Sequence, residues 1–234
     1  MTEARYVGTE LEIFAHATNW KSYVRSQVRP YLTGDVLEVG AGMGAATLAL
    51  NDGTPRRWVC LEPDSTLAAR IVATVSLSLR NCEVVVGTLD LIESQSQFDT
   101  ILYMDVLEHI ENDAEELVRA TRHLRSDGHL VVVAPAMPWL YSPFDAAIGH
   151  HRRYTKSSLR AIAPRDVQEE KCIYLDSLGL LASAGNRLLL RSSTPTMGQI
   201  RFWDRFLVRI SRFTDIVLAR SLGRSVLAVW QKER

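Results

Sequence analysis

The sequence has few cysteines, no net charge and no long apolar run, and each shortage excludes a class of protein. Its three cysteines, Cys60, Cys82 and Cys172, show no C-x-x-C spacing, so they fit neither a disulfide framework nor a zinc site. The formal net charge is zero, which argues against a nucleic-acid binder held by phosphate neutralisation. No stretch approaches the roughly 18 consecutive apolar residues of a membrane-spanning helix, and the N-terminus lacks the apolar core of a signal peptide. We therefore expect a soluble, cytoplasmic protein.

The remaining composition is that of an ordinary globular domain. The chain has 234 residues, of which 47% are hydrophobic and 23% are charged, and this is enough for one domain with a substantial core. No internal repeat or low-complexity linker is visible. We predict a single domain over residues 1–234, with a helical cap up to about residue 33, a core from about 34 to 135, and a further region from about 136 to 234.

Short apolar strands alternate with helical segments through the predicted core. The strand-like runs are VLEV, RRWVCLEP, CEVVVG, FDTILYMD and HLVVVAP. The segments between them are amphipathic, and the second begins with Asp64 or Ser65, residue types that cap helices. This alternation predicts an α/β fold with a doubly wound, mostly parallel sheet. Two later runs, VQEEKCIYL and RSVLAVWQK, predict an antiparallel addition near the C-terminus.

The stretch VLEVGAGMG, residues 36–44, runs from an apolar strand into a glycine loop. Glycines let a backbone lie directly against a cofactor. As G-x-G-x-x-A from Gly40, the loop is typical of a dinucleotide site; as E-x-G-x-G-x-G from Glu38, it is typical of an S-adenosylmethionine (SAM) site. A pyrophosphate site excludes carboxylates from this loop, whereas SAM carries an amino group and a sulfonium, so Glu38 favours SAM. Glu62, at the end of the second strand, suits the ribose hydroxyls of either cofactor.

Five motifs extend this interpretation over about residues 30–160. VLEVGAGMG, CLEPD, FDTILYMDVLEHI, RHLRSDGHLVVVAP and GHHRRYTKSSL resemble, in order and spacing, those of class I SAM-dependent methyltransferases. PWLYSPFDAAIGHHRRYT resembles a bacterial subgroup often found among enzymes of natural products, glycans or lipids. The resemblance implies a Rossmann-like fold with a mostly parallel seven-stranded sheet, an antiparallel strand near the C-terminus and helices on both faces. It also implies methyl transfer to a small-molecule acceptor.

The resemblance further implies which residues hold SAM. The glycine loop would surround the methionine moiety, Glu38 would lie near its amino group, and Glu62 would take the ribose diol. Many family members have Gly-Asp after the third strand, whereas this chain has Gly-Thr-Leu-Asp; Thr88 or Asp90 would substitute, or the backbone would read the adenine. The implied cofactor-binding set, with no metal, is Glu38, Gly40, Ala41, Gly42, Gly44, Glu62, Pro63, Thr88, Leu89, Asp90, Met104 and Asp105.

Two histidines are the candidate catalytic residues. Methyl transfer requires a nucleophile aligned with the methyl carbon, and in some cases a base. His109 ends DVLEHI and His150 lies in FDAAIGHHRRYT, beyond the carboxyl ends of strands four and five, where acceptors bind in this type of fold. Alternatively, His109 only bonds a neighbouring loop, and the second stretch is a surface lid in which Arg153 pairs with Asp145. The candidate substrate-binding residues, of which the first three can equally be core, are Trp20, Tyr23, Trp139, Asp145, Arg153 and Tyr154.

A basic amphipathic segment follows. From residue 183 onward the chain has ten basic and three acidic residues. Arginines at positions 201, 205, 209 and 212 lie on one helical face, and apolar residues from Trp203 to Val217 lie on another. Such a helix can lie on an anionic membrane or bind an acidic partner; the plainer interpretation is that its apolar face packs on its own domain. Peripheral membrane contact stays open, as does the choice between a monomer and a homodimer.

Two other functions are alternatives to SAM-dependent methylation. An NAD(P)-dependent oxidoreductase would need a Tyr-x-x-x-Lys pair or similar, but Ser158 stands four residues after Tyr154. A SAM-binding or partner-binding module without turnover would keep the glycine loop and lack a working base. We expect a SAM-dependent methyltransferase acting on a small molecule, with O-methylation favoured over N- or C-methylation and with no nucleic-acid partner.

Overall fold

The computed structural model describes residues 10–75, 78–185 and 196–234. The first nine residues of the predicted helical cap lie outside these ranges. The strands are β1 (Asp35–Val39), β2 (Arg57–Glu62), β3 (Cys82–Val86), β4 (Phe98–Met104), β5 (Leu124–Pro135), β6 (Val167–Leu175) and β7 (Ser225–Lys232). The α-helices are α1 (Glu10–Ala15), α2 (Thr18–Val28), α3 (Ala45–Leu50), α4 (Ser65–Thr74), α5 (Asp113–Arg122), α6 (Pro143–Ala147), α7 (Lys156–Ala161), α8 (Ser177–Gly185), α9 (Met197–Phe202) and α10 (Val208–Val217).

All seven strands form one sheet in the order β3-β2-β1-β4-β5-β7-β6. Strands β1 to β5 pair in parallel, and β7 runs antiparallel to both of its neighbours. The predicted seven-stranded, mostly parallel sheet with an antiparallel strand near the C-terminus is therefore confirmed. Strand β7 lies between β5 and β6 rather than at the edge of the sheet.

The sheet buries both of its faces, which explains why its strands have nearly continuous apolar sequences. Every residue of β1 is buried. Leu37 and Val39 belong to the core on one face, while Val36 belongs to the core on the other, because successive side chains of a strand point to opposite faces. Trp58 and Trp230, both almost fully inaccessible, fill the two cores from β2 and β7.

The chain order of the strands creates a crevice at the carboxyl edge of the sheet. Strand β1 pairs with β2 on one side and with β4 on the other, so the connections after β1 and β4 diverge to opposite faces. Ligands of open α/β sheets bind at this type of switch point. The loops after β1, β4 and β5 are the ones that the sequence marks as functional.

Side-chain caps begin α4 and α7, and the cap of α4 is one of the two alternatives that the sequence predicts. The Asp64 side chain accepts hydrogen bonds from the backbone of Thr66 and Leu67 at the start of α4, and Thr155 forms a capping box with Ser158 at the start of α7. Within the described ranges, no helix combines the length and apolar character needed to cross a membrane.

Candidate active site

A cavity of about 650 Å³ lies at the carboxyl edge of the sheet, a size typical of small-molecule sites. Its wall combines α1, α2, the loop after β1, the end of β4, the segment around α6 and the residue that precedes β7. Of the site residues expected from the sequence, the wall contains Trp20, Glu38, Gly40, Ala41, Gly42, Met104, Asp105, His109, Asp145, His150 and Arg153. The expected cofactor loop and the expected catalytic cluster therefore face one cavity.

The glycine loop has a backbone that only glycine adopts easily. Gly40 and Gly44 have φ angles of 69° and 78°, in the left-handed region. A Cβ atom on Gly40 would lie 2.7 Å from the Val106 side chain, and one on Gly44 would lie 2.6 Å from that of Val75. The loop thus packs against neighbouring elements while its middle, at Gly42, borders the cavity.

Two buried carboxyl groups support this loop from beneath. Glu38 accepts hydrogen bonds from the Thr47 hydroxyl at 2.7 Å and the Trp58 indole at 2.8 Å, and burial raises its pKa to about 7. Glu62 accepts hydrogen bonds from the backbone N–H groups of Gly42, at 2.7 Å, and Asp64, at 2.9 Å, while burial raises its pKa. Glu38 lines the cavity, and Glu62 lies behind the loop.

The remaining residues of the expected cofactor set lie outside the cavity wall. Besides Glu62 these are Gly44, Pro63, Thr88, Leu89 and Asp90. Leu89 is buried in the core, and Asp90 forms an ion pair with Arg119 at 2.8 Å. Thr88 donates a hydrogen bond of 3.4 Å to Asp90. The expected adenine contact of Thr88 or Asp90 stays a prediction.

Asp105 presents its carboxyl group to the cavity immediately after β4. Its φ angle of 56° is unusual for a residue other than glycine. The side chain is exposed towards the cavity, and the protein around it reduces its solvation, which raises its pKa against the opposing effect of the Arg224, His150, Lys21 and Arg153 charges.

Asp145, His150 and Arg153 form a connected cluster in the cavity wall. Asp145 Oδ1 lies 3.0 Å from His150 Nδ1 and accepts a 2.9 Å hydrogen bond from Arg153 Nε. Burial opposes the charge on Asp145, but the hydrogen bond to His150, the Arg153 charge and the Ser142 hydroxyl hold its pKa at about 2. Asp145 therefore fixes the imidazole through Nδ1, while Nε2 lies 3.8 Å from the buried Glu108 carboxyl group. Arg153 pairs with Asp145, the contact that the alternative predicted, and it still lines the cavity, so its binding of substrate stays a prediction.

His109 packs edge-on against His150, with ring centroids 4.5 Å apart and an interplanar angle of 86°. Burial and the neighbouring His150 lower its pKa to about 4 despite a hydrogen bond with the Gly149 backbone. Glu108 is buried, and one of its carboxyl oxygens has no hydrogen-bond partner among the residues that the structure describes. Glu108, His109 and His150 each bring one ligand atom within 4.8 Å of the others, a donor set that suits a divalent ion. The expected absence of a metal stays a prediction.

The aromatic residues expected at the substrate site divide into two groups. Trp20 lines the cavity. Tyr23 is buried and donates a 2.8 Å hydrogen bond to Asp215, and Tyr154 is buried and donates a 2.7 Å hydrogen bond to Asp113. Trp139 is 51% exposed. Tyr23, Tyr154 and Trp139 lie outside the cavity wall, and the two tyrosines bind buried acids; their contact with substrate stays a prediction.

Sequence reasoning missed two cations in the wall, Lys21 and Arg224. Lys21 donates to the backbone carbonyls of Phe14 and Ala15 at 2.6 and 3.2 Å, and burial lowers its pKa to about 8. Arg224 immediately precedes β7. A signal for it existed: an antiparallel strand begins where its parallel neighbours end, so the residue before β7 lies at the cavity edge.

The comparisons with known proteins agree with this geometry. Residues 37–130 match a family model described as a methyltransferase domain. A Haloferax volcanii methyltransferase candidate, in complex with the methyltransferase activator Trm112, has a TM-score of 0.66 at 15% identity over 99% of this chain and 100% of the other. The N-methyltransferase NodS of Bradyrhizobium japonicum, bound to S-adenosylhomocysteine, has a TM-score of 0.58 at 12% identity over 91% and 84% of the two chains.

A third solved structure is coclaurine N-methyltransferase, bound to N-methylheliamine and S-adenosylhomocysteine. It has a TM-score of 0.59 at 16% identity over 98% of this chain and 76% of its own. No curated protein matches the chain by sequence. At these identities the structural likeness concerns the fold, while the family match concerns about two fifths of the chain. The chain therefore has the Rossmann-like fold of the class I methyltransferases, and its residues 37–130 match the methyltransferase-domain family.

Proposed function

We propose that this protein is a SAM-dependent methyltransferase with a small-molecule acceptor. The observation that carries the proposal is that the glycine loop after β1 and the His150–Asp145 pair line the same cavity. A cofactor on the loop and an acceptor against His150 would meet inside one enclosure. Such an enclosure aligns two reactants and excludes water, which is the main requirement of methyl transfer.

The charges of the cofactor side favour SAM over a dinucleotide. Glu38 and Asp105 both line the cavity, and carboxyl groups there would repel a pyrophosphate but attract an amino group and a sulfonium. Tyr154, the tyrosine that a reductase mechanism would require, is buried against Asp113. Solved structures with this fold hold S-adenosylhomocysteine, which supports the same choice.

His150 is the group that would accept a proton from the acceptor. SAM supplies a methyl group on a sulfonium sulfur, and its transfer to an acceptor oxygen or nitrogen leaves a neutral thioether. Because Asp145 fixes Nδ1, Nε2 of His150 can take the proton that the acceptor loses, and the Asp145 carboxylate stabilises the resulting imidazolium. His109, neutral because its pKa is about 4, would position the acceptor by hydrogen bonding.

Oxygen is the acceptor atom that we favour, because a hydroxyl benefits most from a base. N-methylation is the second candidate, and the two N-methyltransferases among the structural neighbours favour it. The motifs DVLEHI and GHHRRYT support a natural-product, glycan or lipid precursor as the acceptor, through the resemblance to the bacterial subgroup. We place the reaction in the cytoplasm.

A surface feature supports contact with a membrane. An apolar stripe points outward along α9, the π-helix Trp203–Leu207 and α10. Every member of it is at least half exposed: Phe202, Phe206, Ile210, Phe213 and Val217. The expected packing of this apolar face on the domain therefore holds in part: Ile200, Trp203, Leu207 and Val208 pack inward, while the stripe does not. Exposed arginines at positions 201, 205 and 209 flank the stripe. Apolar residues flanked by arginines suit an anionic lipid surface.

The test of the catalytic proposal follows a labelled methyl group. Purified protein is incubated with methyl-labelled SAM and with cell extracts fractionated into acidic, neutral, basic and lipid pools, with and without EDTA. We expect label to enter one pool. We expect the rate to fall about 10²- to 10⁴-fold in His150→Ala, the usual contribution of a general base, and to stay unchanged in His123→Ala, a histidine outside the cavity wall.

Two results would contradict parts of this proposal. Binding of S-adenosylhomocysteine without label transfer to any pool would favour the non-catalytic module. Loss of transfer in EDTA, with recovery on adding a divalent ion, would assign Glu108, His109 and His150 to a metal, and His150 would then not be the base.

A further inference from the structure

Arg224 is a cation inside the cavity wall without a carboxylate partner. Its guanidinium stacks on the Trp203 ring, 4.3 Å from the centroid, and lies 5.9 Å from that of Phe14. Among the described residues, none forms an ion pair or a side-chain hydrogen bond with it. The charges of Asp176, Asp105 and Asp145 act on it without direct contact, and Asp176 already accepts hydrogen bonds from Trp203, Ser211 and Gly179.

Two further Lys and Arg side chains line the described part of the cavity wall, Arg153 and Lys21, and both already have partners. Arg153 makes two ion-pairing contacts with Asp145, at 2.8 and 2.9 Å. Lys21 directs its ammonium at the backbone carbonyls of Phe14, Ala15 and Ala17. Arg224 alone among these three offers unused donors to a ligand. Burial lowers the pKa of Arg224 despite the charges of the surrounding acids, and an anion bound directly to the guanidinium would offset that cost.

The strand order places Arg224 on the acceptor side of the cavity. The cofactor loop follows β1, and Arg224 precedes β7, three strands away in the order β1-β4-β5-β7. At the usual strand spacing this is about 14 Å, and the end of β5 and the His150 cluster lie on the same side. Because the cofactor would lie over β1 and β2, a group held by Arg224 belongs to the second ligand.

The stacking fixes the orientation of the guanidinium. Trp203 is buried, and its indole donates a 2.7 Å hydrogen bond to Asp176, so the platform beneath Arg224 is rigid. A planar guanidinium held on one face presents its edge, and two parallel N–H donors on that edge match the two oxygens of a carboxylate or phosphate.

We propose that Arg224 binds an anionic group, carboxylate or phosphate, of the acceptor, and so restricts the enzyme to acidic small molecules. This inference rests on the proposed function, since it takes the second ligand of the cavity to be the methyl acceptor. Arg224 would be a specificity-determining residue: it holds the substrate by its charge and takes no part in proton transfer.

The test compares anionic and neutral probes of similar shape. Benzoate, phenyl phosphate and the neutral benzamide are titrated calorimetrically into protein saturated with S-adenosylhomocysteine. We expect at least one anion to bind wild-type protein at least tenfold more tightly than benzamide. Arg224→Gln should lose this preference, Arg224→Lys should keep part of it, and the exposed Arg165→Gln should keep all of it. The preference for benzoate or for phenyl phosphate identifies the anion.

The outcomes separate this inference from the proposed function. Equal binding of anions and benzamide by wild-type protein, or an unchanged preference in Arg224→Gln, would overturn it, and the wild-type comparison alone decides the question if that variant does not fold. A large loss of S-adenosylhomocysteine affinity in folded Arg224→Gln would also overturn it, because Arg224 would then hold the cofactor carboxylate. If wild-type protein does not bind S-adenosylhomocysteine, the proposed methyltransferase function is wrong, and this result is independent of how the anionic and neutral probes bind.

Discussion

At the scale of single residues, the cofactor side of the cavity depends on a carboxyl group that is buried without a cation. Glu38 has only the Thr47 hydroxyl and the Trp58 indole as partners. These donors are enough to fix its position but do not compensate fully for lost hydration, so its pKa lies at about 7 instead of 4.5. The group is thus poised to ionise when a cationic ligand arrives.

This position of Glu38 predicts a specific pH dependence of stability. Between about pH 4.5 and pH 7 the folded protein holds a proton that the unfolded chain has released. The contribution of Glu38 to the free energy of unfolding is therefore full below this window and falls as pH rises through it. Glu38→Gln, which stays neutral and can still accept both hydrogen bonds, should gain on the order of 1–3 kcal/mol relative to wild type from pH 4.5 to 7.5.

Urea denaturation of both proteins without ligand at a series of pH values measures this gain. Titration of His109, whose pKa is also shifted, affects both proteins and cancels in the difference. A wild-type-minus-variant difference that does not change with pH would show that Glu38 is ionised in the folded state.

Residue-scale prediction from the sequence succeeded where a role depends on chain position and failed where it depends on a partner. Gly40 and Glu38 lie at the cavity because they end a parallel strand. Arg153 could not be assigned from its sequence, because whether an arginine holds substrate or an internal acid depends on where Asp145 lies in space. Arg224 was missed because its proposed role as an anion-binding residue depends on its having no ion-pair partner among the described residues, which the sequence does not reveal.

At the scale of elements, the caps explain where the helices begin. Asp64 follows β2 and accepts hydrogen bonds from Thr66, at 2.8 Å, and Leu67, at 3.1 Å. Asp64→Ala should lower the free energy of unfolding by about 1 kcal/mol, because two N–H groups lose their acceptor. Asp64→Asn, which keeps the acceptor, should cost less. Equal losses for both variants in urea denaturation would show that the negative charge matters more than the cap.

The apolar stripe on α9 and α10 is the second element with a direct test. We expect wild-type protein to sediment with vesicles of equal parts phosphatidylglycerol and phosphatidylcholine, but not with vesicles of phosphatidylcholine alone. Phe206→Glu combined with Phe213→Glu should reduce the bound fraction at least tenfold, because the change introduces charge on residues that are 51% and 75% exposed. Melting temperature should change little.

The control for the stripe is Val118→Glu on α5, which changes an apolar residue that is 41% exposed and lies outside the stripe, and it should leave vesicle binding unchanged. Failure of the wild-type protein to sediment would contradict the membrane proposal. A dimer in analytical ultracentrifugation that the double variant dissociates would assign the stripe to a second copy of the chain.

Element types followed from the sequence more readily than element neighbours. The apolar runs before the glycine loop and in HLVVVAP predict strands because buried parallel strands need them. The sequence of β7 does not reveal that this strand inserts between β5 and β6. Its pairing depends on which sheet edges remain open after the earlier strands assemble. The outward face of α10 was misjudged for a related reason: amphipathic spacing identifies an apolar face but not what covers it.

At the scale of the whole molecule, the fold brings residues from the two ends of the chain into one enclosure. Trp20 and Lys21 come from α2, the glycine loop follows β1, and Arg224 precedes the last strand. The central claim is that this enclosure binds SAM. Because a ligand that binds only the native state stabilises it, saturation with a cofactor should raise the melting temperature.

The most direct measurement is therefore thermal melting of the purified protein in parallel titrations of S-adenosylhomocysteine, NADH and NADPH. The account predicts a concentration-dependent rise with S-adenosylhomocysteine, equivalent to about 2.7 kcal/mol at a hundredfold excess over the dissociation constant, and no rise with either nicotinamide cofactor. A rise with NADH or NADPH and none with S-adenosylhomocysteine would mean that the glycine loop holds a dinucleotide, and the proposed methyltransferase activity would be wrong.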